Sequence, residues 1–343
     1  MGKKRAGERT ELNCEHSASK KRRVVSKLKG PSNPRSISWT KLPYLVLVEI
    51  YRNLSEIDKV AMAQVCPEWW NAFKSPVLWR TKHFIFGGPD AKNAGKRAVQ
   101  YAEMLGSYLQ EVSISCRHVT SNTCNVITET LEAFAKCLSN ARLRHFQIED
   151  LELDRFWKYA HLRFNIENCL VTFFQGQHNL EVVTLASAQI ALLSGTEILE
   201  ALLKSSGHSI RILELMDFFH GRLAAYQLSR FVLTMSGFSN LEKVTLNYCC
   251  VCNELLQHWA KSLQGKLRHL TIKAGADEPH SHTLTNETWQ RLVAACPKLT
   301  VEVALFGIAH ANAVIPMLSP YIPLVGFTMW SGYDDDIEWQ VCL

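Results

Sequence analysis

A short pattern, apolar-x-x-apolar-x-apolar, recurs along the chain and constrains its fold more than any other feature. Clear copies start at Leu109, Leu143, Leu180, Ile210, Leu241 and Leu267, and weaker copies start at Leu299 and Ile322. The clear copies lie 34, 37, 30, 31 and 26 residues apart. Repeats at this spacing are typical of a solenoid, because one unit cannot bury its apolar face alone and must stack on its neighbours.

Amphipathic segments separate the copies. Thr128, Thr196, Asn253 and Thr285 each precede an apolar stripe with helical spacing, where a capping residue is expected. Each unit is therefore predicted to be a short strand followed by a helix. The pattern resembles an irregular leucine-rich repeat array with long units, and Cys249 stands where that family places a ladder residue. The alternative is a generic α/β domain whose strands share a pattern.

The segment 42–80 has a different organisation, with signals for three short helices. A first helix is indicated by apolar residues at i, i+3, i+4 and i+7, namely Leu47, Ile50, Tyr51 and Leu54. Asp58 stands where a second helix would be capped, and Pro67 suits the first turn of a third. A module of this size cannot enclose all of its leucines and aromatic residues. The surplus predicts a permanent protein interface, and the alternative is a helical subdomain packed on the rest of the chain.

The order of residues in this segment resembles an F-box, the helical module that joins a receptor to a ubiquitin ligase. Leu-Pro opens the segment, Val65-Cys66 follows the second helix, and Trp79 lies near its end. Pro67 departs from the family, which usually has a basic residue there. The resemblance implies that the following residues contact a Skp-type adaptor: Leu42, Pro43, Leu47, Ile50, Leu54 and Trp79. It implies an internal core position for Trp69.

The F-box followed by repeats resembles the receptors of Skp–cullin–F-box ubiquitin ligases. The resemblance implies a non-catalytic subunit that recruits a cullin and a RING protein through the adaptor, while the repeats bind an unidentified target protein. One alternative is an F-box scaffold that marks nothing for degradation. Another is a nuclear nucleic-acid-binding protein that acts through a basic tail, although nucleic acid is the less favoured partner.

The target is expected on the strand face of the repeats. Residues between the apolar positions of each copy point away from the core, and these are Glu111, His145, Gln147, Thr184, Glu214, Lys243, Thr245, His269 and Thr271. The alternative for each residue is that it only solvates the sheet. A polar insertion at 274–288, which contains His280 and His282, is the alternative target site.

Positive charge is concentrated at the N-terminus. Residues 1–40 hold eleven Lys/Arg and three Glu, whereas the chain as a whole has 38 basic and 32 acidic residues. Two clusters resemble a bipartite nuclear localisation signal: Lys3, Lys4 and Arg5, then Lys20, Lys21, Arg22 and Arg23. They predict that the protein is located in the nucleus and the cytoplasm. The alternative is that the clusters only form part of a solvated tail.

These features predict an α+β multi-domain chain. We expect a disordered basic tail at 1–36, a three-helix F-box at 37–85, a linker with a helix at 86–107, and an irregular α/β leucine-rich-repeat solenoid at 108–343. No capping helix is evident after the last copy, so a truncated C-terminus is expected. No catalytic, cofactor, metal or membrane-spanning motif is predicted.

Overall fold

The computed structural model describes residues 41–139, 141–152, 160–221, 223–276, 278, 282–308 and 314–330. The predicted tail at 1–36, with both basic clusters, lies outside these residues.

Within the described residues, three helices come first and strands then alternate with helices. The helices are α1 (Tyr44–Arg52), α2 (Glu56–Ala63), α3 (Pro67–Phe73), α4 (Ala91–Leu105), α5 (Cys124–Cys137), α6 (Ala160–Gln175), α7 (Leu192–Ser206), α8 (Ser229–Gly237), α9 (Asn253–Ser262) and α10 (Asn286–Ala295). The strands are β1 (Thr81–Gly87), β2 (Glu111–Arg117), β3 (His145–Asp150), β4 (Val182–Thr184), β5 (Ile212–Glu214), β6 (Lys243–Asn247), β7 (His269–Gly275), β8 (Thr300–Phe306) and β9 (Leu324–Trp330).

The nine strands form one parallel sheet in chain order, from β1 to β9. Each strand therefore pairs only with the units before and after it, which is the arrangement of a solenoid. The eight sequence copies correspond to β2 through β9. The predicted fold class, a three-helix module followed by an α/β repeat array, is confirmed for the described residues.

The leading residue of each copy explains why the units stack. In the six clear copies this residue is at most 1% exposed and belongs to one continuous apolar core. Side chains then alternate across each strand. In β7, Leu270 and Ile272 point into the core, whereas His269 and Thr271 lie on the open face of the sheet.

A strand that precedes the first predicted copy belongs to the same sheet. Residues 86–107, predicted to be a linker with a helix, contain the end of β1 and helix α4, and β1 pairs with β2 over seven residues. By this register Trp79 stands at the leading position of a first unit, aligned with Leu109. The pattern search missed the copy because Lys82 occupies its second apolar position.

Helix starts also differ from the sequence expectation at several caps. Ser55, not Asp58, caps α2, since its Oγ accepts from the Asp58 backbone N–H at 3.2 Å. Thr128 and Thr196 lie inside α5 and α7, where each hydroxyl donates to the carbonyl oxygen four residues earlier. Thr285 caps α10 as predicted. Threonine can bond to the backbone at either position, so sequence does not separate the two.

Candidate functional site

The three-helix module has a small core of its own. Tyr51 lies at its centre, with no exposed surface, and its hydroxyl donates to the Trp69 carbonyl oxygen at 3.0 Å. Phe73 packs edge-on against Trp79 with 5.0 Å between ring centroids, and Tyr101 of α4 contacts the same core. The module thus packs against the first unit of the solenoid through aromatic contacts.

This module exposes an unusual amount of apolar surface. The exposed side chains on or next to α1, α2 and α3 are Tyr44, Leu45, Val46, Ile57, Val60, Val65 and Trp70. Leu45 is 78% exposed and Ile57 is 83% exposed. Large apolar groups left in solvent by a small folded module are typical of a protein-binding surface.

The predicted adaptor residues are split between this surface and the core. Leu47 and Trp79 are only 1% and 5% exposed, and the Trp79 indole donates to the Phe73 carbonyl oxygen at 2.9 Å. The structure therefore places these two side chains in the core of the F-box. Leu42, Ile50 and Leu54 are half-buried against the same core, and Pro43 is exposed. Adaptor contact stays a prediction for all six residues, with little surface left to offer at Leu47 and Trp79. Trp69 is buried, as expected.

Sequence reasoning missed Leu45, Ile57 and Val60, although a signal was present. The α1 sequence YLVLVEIYR is apolar around most of its circumference, and one stripe suffices for a core. The remaining apolar positions had to face either solvent or a partner.

The open face of the sheet carries the predicted target-binding residues in two adjacent rows. One row contains Glu111, His145, Lys243 and His269, and the next contains Gln147, Thr184, Glu214, Thr245 and Thr271. Equivalent positions of parallel, in-register strands fall on the same line, so the repeat pattern brings these residues together.

The two rows hold both signs of charge. The Lys243 ammonium lies 2.6 Å from a Glu214 carboxylate oxygen, and the Thr184 hydroxyl donates to the other at 3.2 Å. The His145 ring lies 3.4 Å from the Glu111 carboxylate. Thr245 corrects the expectation, because it is only 7% exposed and offers little to a partner.

A groove of about 160 Å³ crosses this face at β2, β3 and β4. Four of the predicted residues line it, namely Glu111, His145, Gln147 and Thr184. Ser113 and Thr81 also line the groove. His83 lies beside it, with 2.7 Å between its ring nitrogen and the Ser113 hydroxyl. Thr81 and His83 belong to β1, the strand that the repeat pattern did not reveal.

The alternative site at 274–288 is described only in part, and His280 lies outside the described residues. The His282 ring is held between Tyr226 and Tyr248, with ring centroids at 3.9 and 4.4 Å. Its Nε2 lies 2.7 Å from the Val251 carbonyl oxygen. His282 is therefore part of the packing of the solenoid.

A polar network at the C-terminal ends of β5, β6 and β7 joins three units. The Asn247 amide oxygen accepts from the Asp217 backbone N–H at 2.7 Å, and its amide nitrogen donates to Glu278 at 2.7 Å. Asn247 thus forms the inter-unit ladder bonds that the pattern had assigned to Cys249. A hydrogen bond with Cys250 and burial raise the pKa of the Cys249 thiol, so it stays protonated.

In the part of the chain that the structure describes, no group of three or more His, Cys, Asp or Glu side chains is placed to hold a metal ion. No described helix combines the length and apolar character needed to cross a membrane.

Comparisons with known proteins agree with this architecture. The F-box domain family matches residues 39–81. F-box/LRR-repeat protein 21 of Mus musculus is 21% identical over 278 residues, which are 79% of this chain and 60% of that protein. Its Ovis aries counterpart is 20% identical over the same shares. This chain thus spans about 60% of the length of the curated relatives it matches.

Among solved structures, the leucine-rich repeat-containing protein LegL7 from Legionella pneumophila aligns with 76% of this chain and 87% of its own. The alignment has 11% identity and a TM-score of 0.35. The F-box resemblance is confirmed: the chain carries an F-box domain at 39–81, and its curated homologues are F-box/LRR-repeat proteins at low identity.

Proposed function

We propose that this chain is the substrate-recognition subunit of a Skp–cullin–F-box ubiquitin ligase. The observation that carries the proposal is the exposed apolar surface of a matched F-box domain whose own core is already complete. A Skp-type adaptor would cover that surface and connect the chain to a cullin and a RING protein. Burial of apolar side chains is the dominant favourable term in such an association.

The mechanism is positioning. In this proposal the reacting cysteine and lysine belong to other chains, and no residue of this chain is assigned a catalytic role. Holding two reactants together can correspond to about 7 to 11 kcal/mol of the barrier. The packing of Tyr101 and Trp79 between F-box and first unit supports a fixed relation between adaptor and target. A loose connection would lose much of that advantage.

The target is proposed to bind the open face of the sheet. This face combines the groove at β2 to β4 with the ion pair between Lys243 and Glu214. A mixed, polar surface favours selectivity, since a wrong partner leaves charged groups unpaired.

A paired-variant experiment tests this assignment. The Lys243→Glu, His269→Glu variant of the full chain is purified from cells by affinity. It should still recover the adaptor and the cullin, but it should lose the ubiquitinated target proteins. A matched control makes the same changes on helix α9, with His258→Glu and Lys261→Glu, where both side chains are in contact with solvent. Equal target loss from the control would refute the assignment to the sheet. Recovery of the adaptor by the unchanged chain, without any ubiquitinated partner, would favour a non-degradative scaffold instead.

We also propose nuclear import through the two basic clusters at 3–5 and 20–23. The support is their composition and spacing alone.

A further inference from the structure

Charge is distributed unevenly between the two edges of the solenoid. At the edge where the strands begin, the residues between each helix and the next strand include eight basic and two acidic side chains. They are Lys74, Arg80, Arg142, Arg144, Arg211, Lys266, Arg268 and Lys298, with Glu181 and Glu242. At the edge where the strands end, the described connecting residues include Asp90, Glu152, Asp217 and Glu278 and no Lys or Arg.

Five residues of the strand-start edge form a regular row of alternating charge: Arg144, Glu181, Arg211, Glu242 and Arg268. From Glu181 onward, each backbone N–H in the row donates to the carbonyl oxygen of the preceding member, with distances of 2.7 to 2.8 Å. The row therefore has the spacing of the sheet. Arginines two strands apart are separated by about 9.6 Å, given about 4.8 Å between neighbouring strands.

The arginines extend further into solvent than the glutamates between them. Arg144 and Arg211 are 58% and 56% exposed, whereas Glu181 and Glu242 are 31% exposed. Arg144 pairs with Glu181 at 2.9 Å, and Arg211 pairs with Glu242 at 2.7 Å. Two carboxylates thus face three guanidinium groups, and the outer surface of the row is positive.

Two cations that line the groove at this edge, Lys266 and Arg268, form no direct ion pair with a carboxylate among the described residues. Lys266 donates to neutral acceptors, the Ser239 carbonyl oxygen at 2.8 Å and the Asn240 side-chain oxygen at 2.7 Å. Arg268 forms no ion pair within the described part of the chain. Together with the row they line an open groove of about 660 Å³, to which His208 and Ser209 add hydrogen-bonding groups.

We propose that this groove binds an extended acidic peptide segment with a carboxylate at every third residue. An extended polyproline II segment has three residues per turn and rises about 3.1 Å per residue, so such carboxylates recur on one face every 9.3 Å or so. This period agrees with the arginine spacing. The groove shares no lining residue with the groove on the open face of the sheet or with the exposed F-box surface, so this inference does not rest on the proposed ligase function.

The glutamates favour a peptide over a nucleic acid. A phosphate backbone carries a charge at each nucleotide, about 3.4 Å apart along one strand of duplex DNA. Some of those phosphates would lie opposite Glu181 and Glu242, where like charges repel. A peptide with carboxylates every third residue places small neutral residues at these positions.

Fluorescence anisotropy with the full chain tests the inference. The probe is a fluorescein-labelled peptide of repeated Glu-Pro-Ser, and the control peptide has the same composition with its glutamates contiguous. The triple variant Arg144→Gln, Arg211→Gln, Arg268→Gln should bind the probe at least about tenfold more weakly, from three exposed charge pairs. The matched control Lys92→Gln, Lys96→Gln, Lys136→Gln removes three exposed charges from α4 and α5. It should change the affinity by less than about twofold.

The single variant Arg268→Gln provides a second test in case the triple variant unfolds, because this substitution breaks no direct ion pair of the described fold. It should weaken binding of the probe about two- to threefold. Equal weakening by the control variant, or equal affinity for the contiguous-glutamate peptide, would show only non-specific charge attraction and overturn the inference. Tighter binding of single-stranded oligouridine, lost in the triple variant, would assign the groove to nucleic acid instead.

Discussion

The exposed apolar surface of the F-box gives the sharpest test of the proposal, because two leucines of one helix have opposite expected effects. Leu45 is 78% exposed, whereas Leu47 is 1% exposed and packs in the F-box core. We expect Leu45→Ala combined with Ile57→Ala to weaken adaptor binding without loss of stability. We expect Leu47→Ala to destabilise the module with little effect on the affinity of the molecules that remain folded.

The magnitudes follow from exposure. Burying a Leu or Ile side chain completely contributes about 2 kcal/mol. Leu45 and Ile57 still expose 78% and 83% of their surface, so their joint loss should cost about 3 kcal/mol, roughly a hundredfold in Kd. Leu47 has no comparable area left to bury in a complex. Its truncation leaves a cavity that costs about 2 to 5 kcal/mol of folding free energy.

Calorimetric titration of each variant with a purified Skp-type adaptor measures Kd, and thermal unfolding measures stability. Multiplying the apparent Kd by the folded fraction gives the Kd of the folded molecules and so separates the two effects. An exposed-surface control, Leu233→Ala on helix α8, should change neither quantity much, since Leu233 is 59% exposed and outside the F-box. If Leu47→Ala weakens binding a hundredfold while Leu45→Ala with Ile57→Ala does not, the adaptor contacts the stripe predicted from sequence and our surface is wrong.

Two further predictions concern charge. A hydrogen bond from Arg211 holds the pKa of Glu242 below its ordinary value. The stabilisation from this ion pair is therefore present above the unfolded pKa of about 4.3 and is lost as pH falls through the lowered folded value. Glu242→Gln should lower the melting temperature at pH 7 but not in strong acid, and an equal decrease at both pH values would contradict the ion pair. Replacing Lys20, Lys21, Arg22 and Arg23 by Ala should move the protein from nucleus to cytoplasm in fluorescence microscopy at unchanged melting temperature, and unchanged localisation would leave the cluster as a solvated tail.

The repeat array was predictable because its signal is redundant. Each clear copy has three apolar positions that must all point inward, and six copies repeat the requirement. The first unit was not predicted because Lys82 occupies an apolar position of its pattern. The Lys82 side chain is long enough to bury its methylenes partly while its ammonium reaches Glu56 at the surface. One such substitution hides a strand from a pattern search, although the sheet tolerates it.

The residues on the open face of the sheet were predictable in position and less so in exposure. Alternation along a strand predicts that these residues share one side of the sheet, and the in-register pairing of the strands arranges them in two rows. The exposure of a short side chain such as Thr245 depends on how the longer side chains of neighbouring strands lie. Lys243 and Glu214 form an ion pair in these rows, a contact between strands that the pattern of a single copy does not contain.

The F-box shows most clearly what a helical stripe can and cannot identify. Apolar residues at i, i+3, i+4 and i+7 select the face with the greatest need for burial, and in α1 that need is met inside the module by Tyr51 and Leu47. In our proposal the binding surface comes from apolar residues outside the stripe, which a pattern for a single face does not select. Leu45 is such a residue, adjacent in sequence to the stripe but turned to solvent. The comparison of Leu45→Ala with Leu47→Ala therefore measures whether the stripe builds the module or binds its partner.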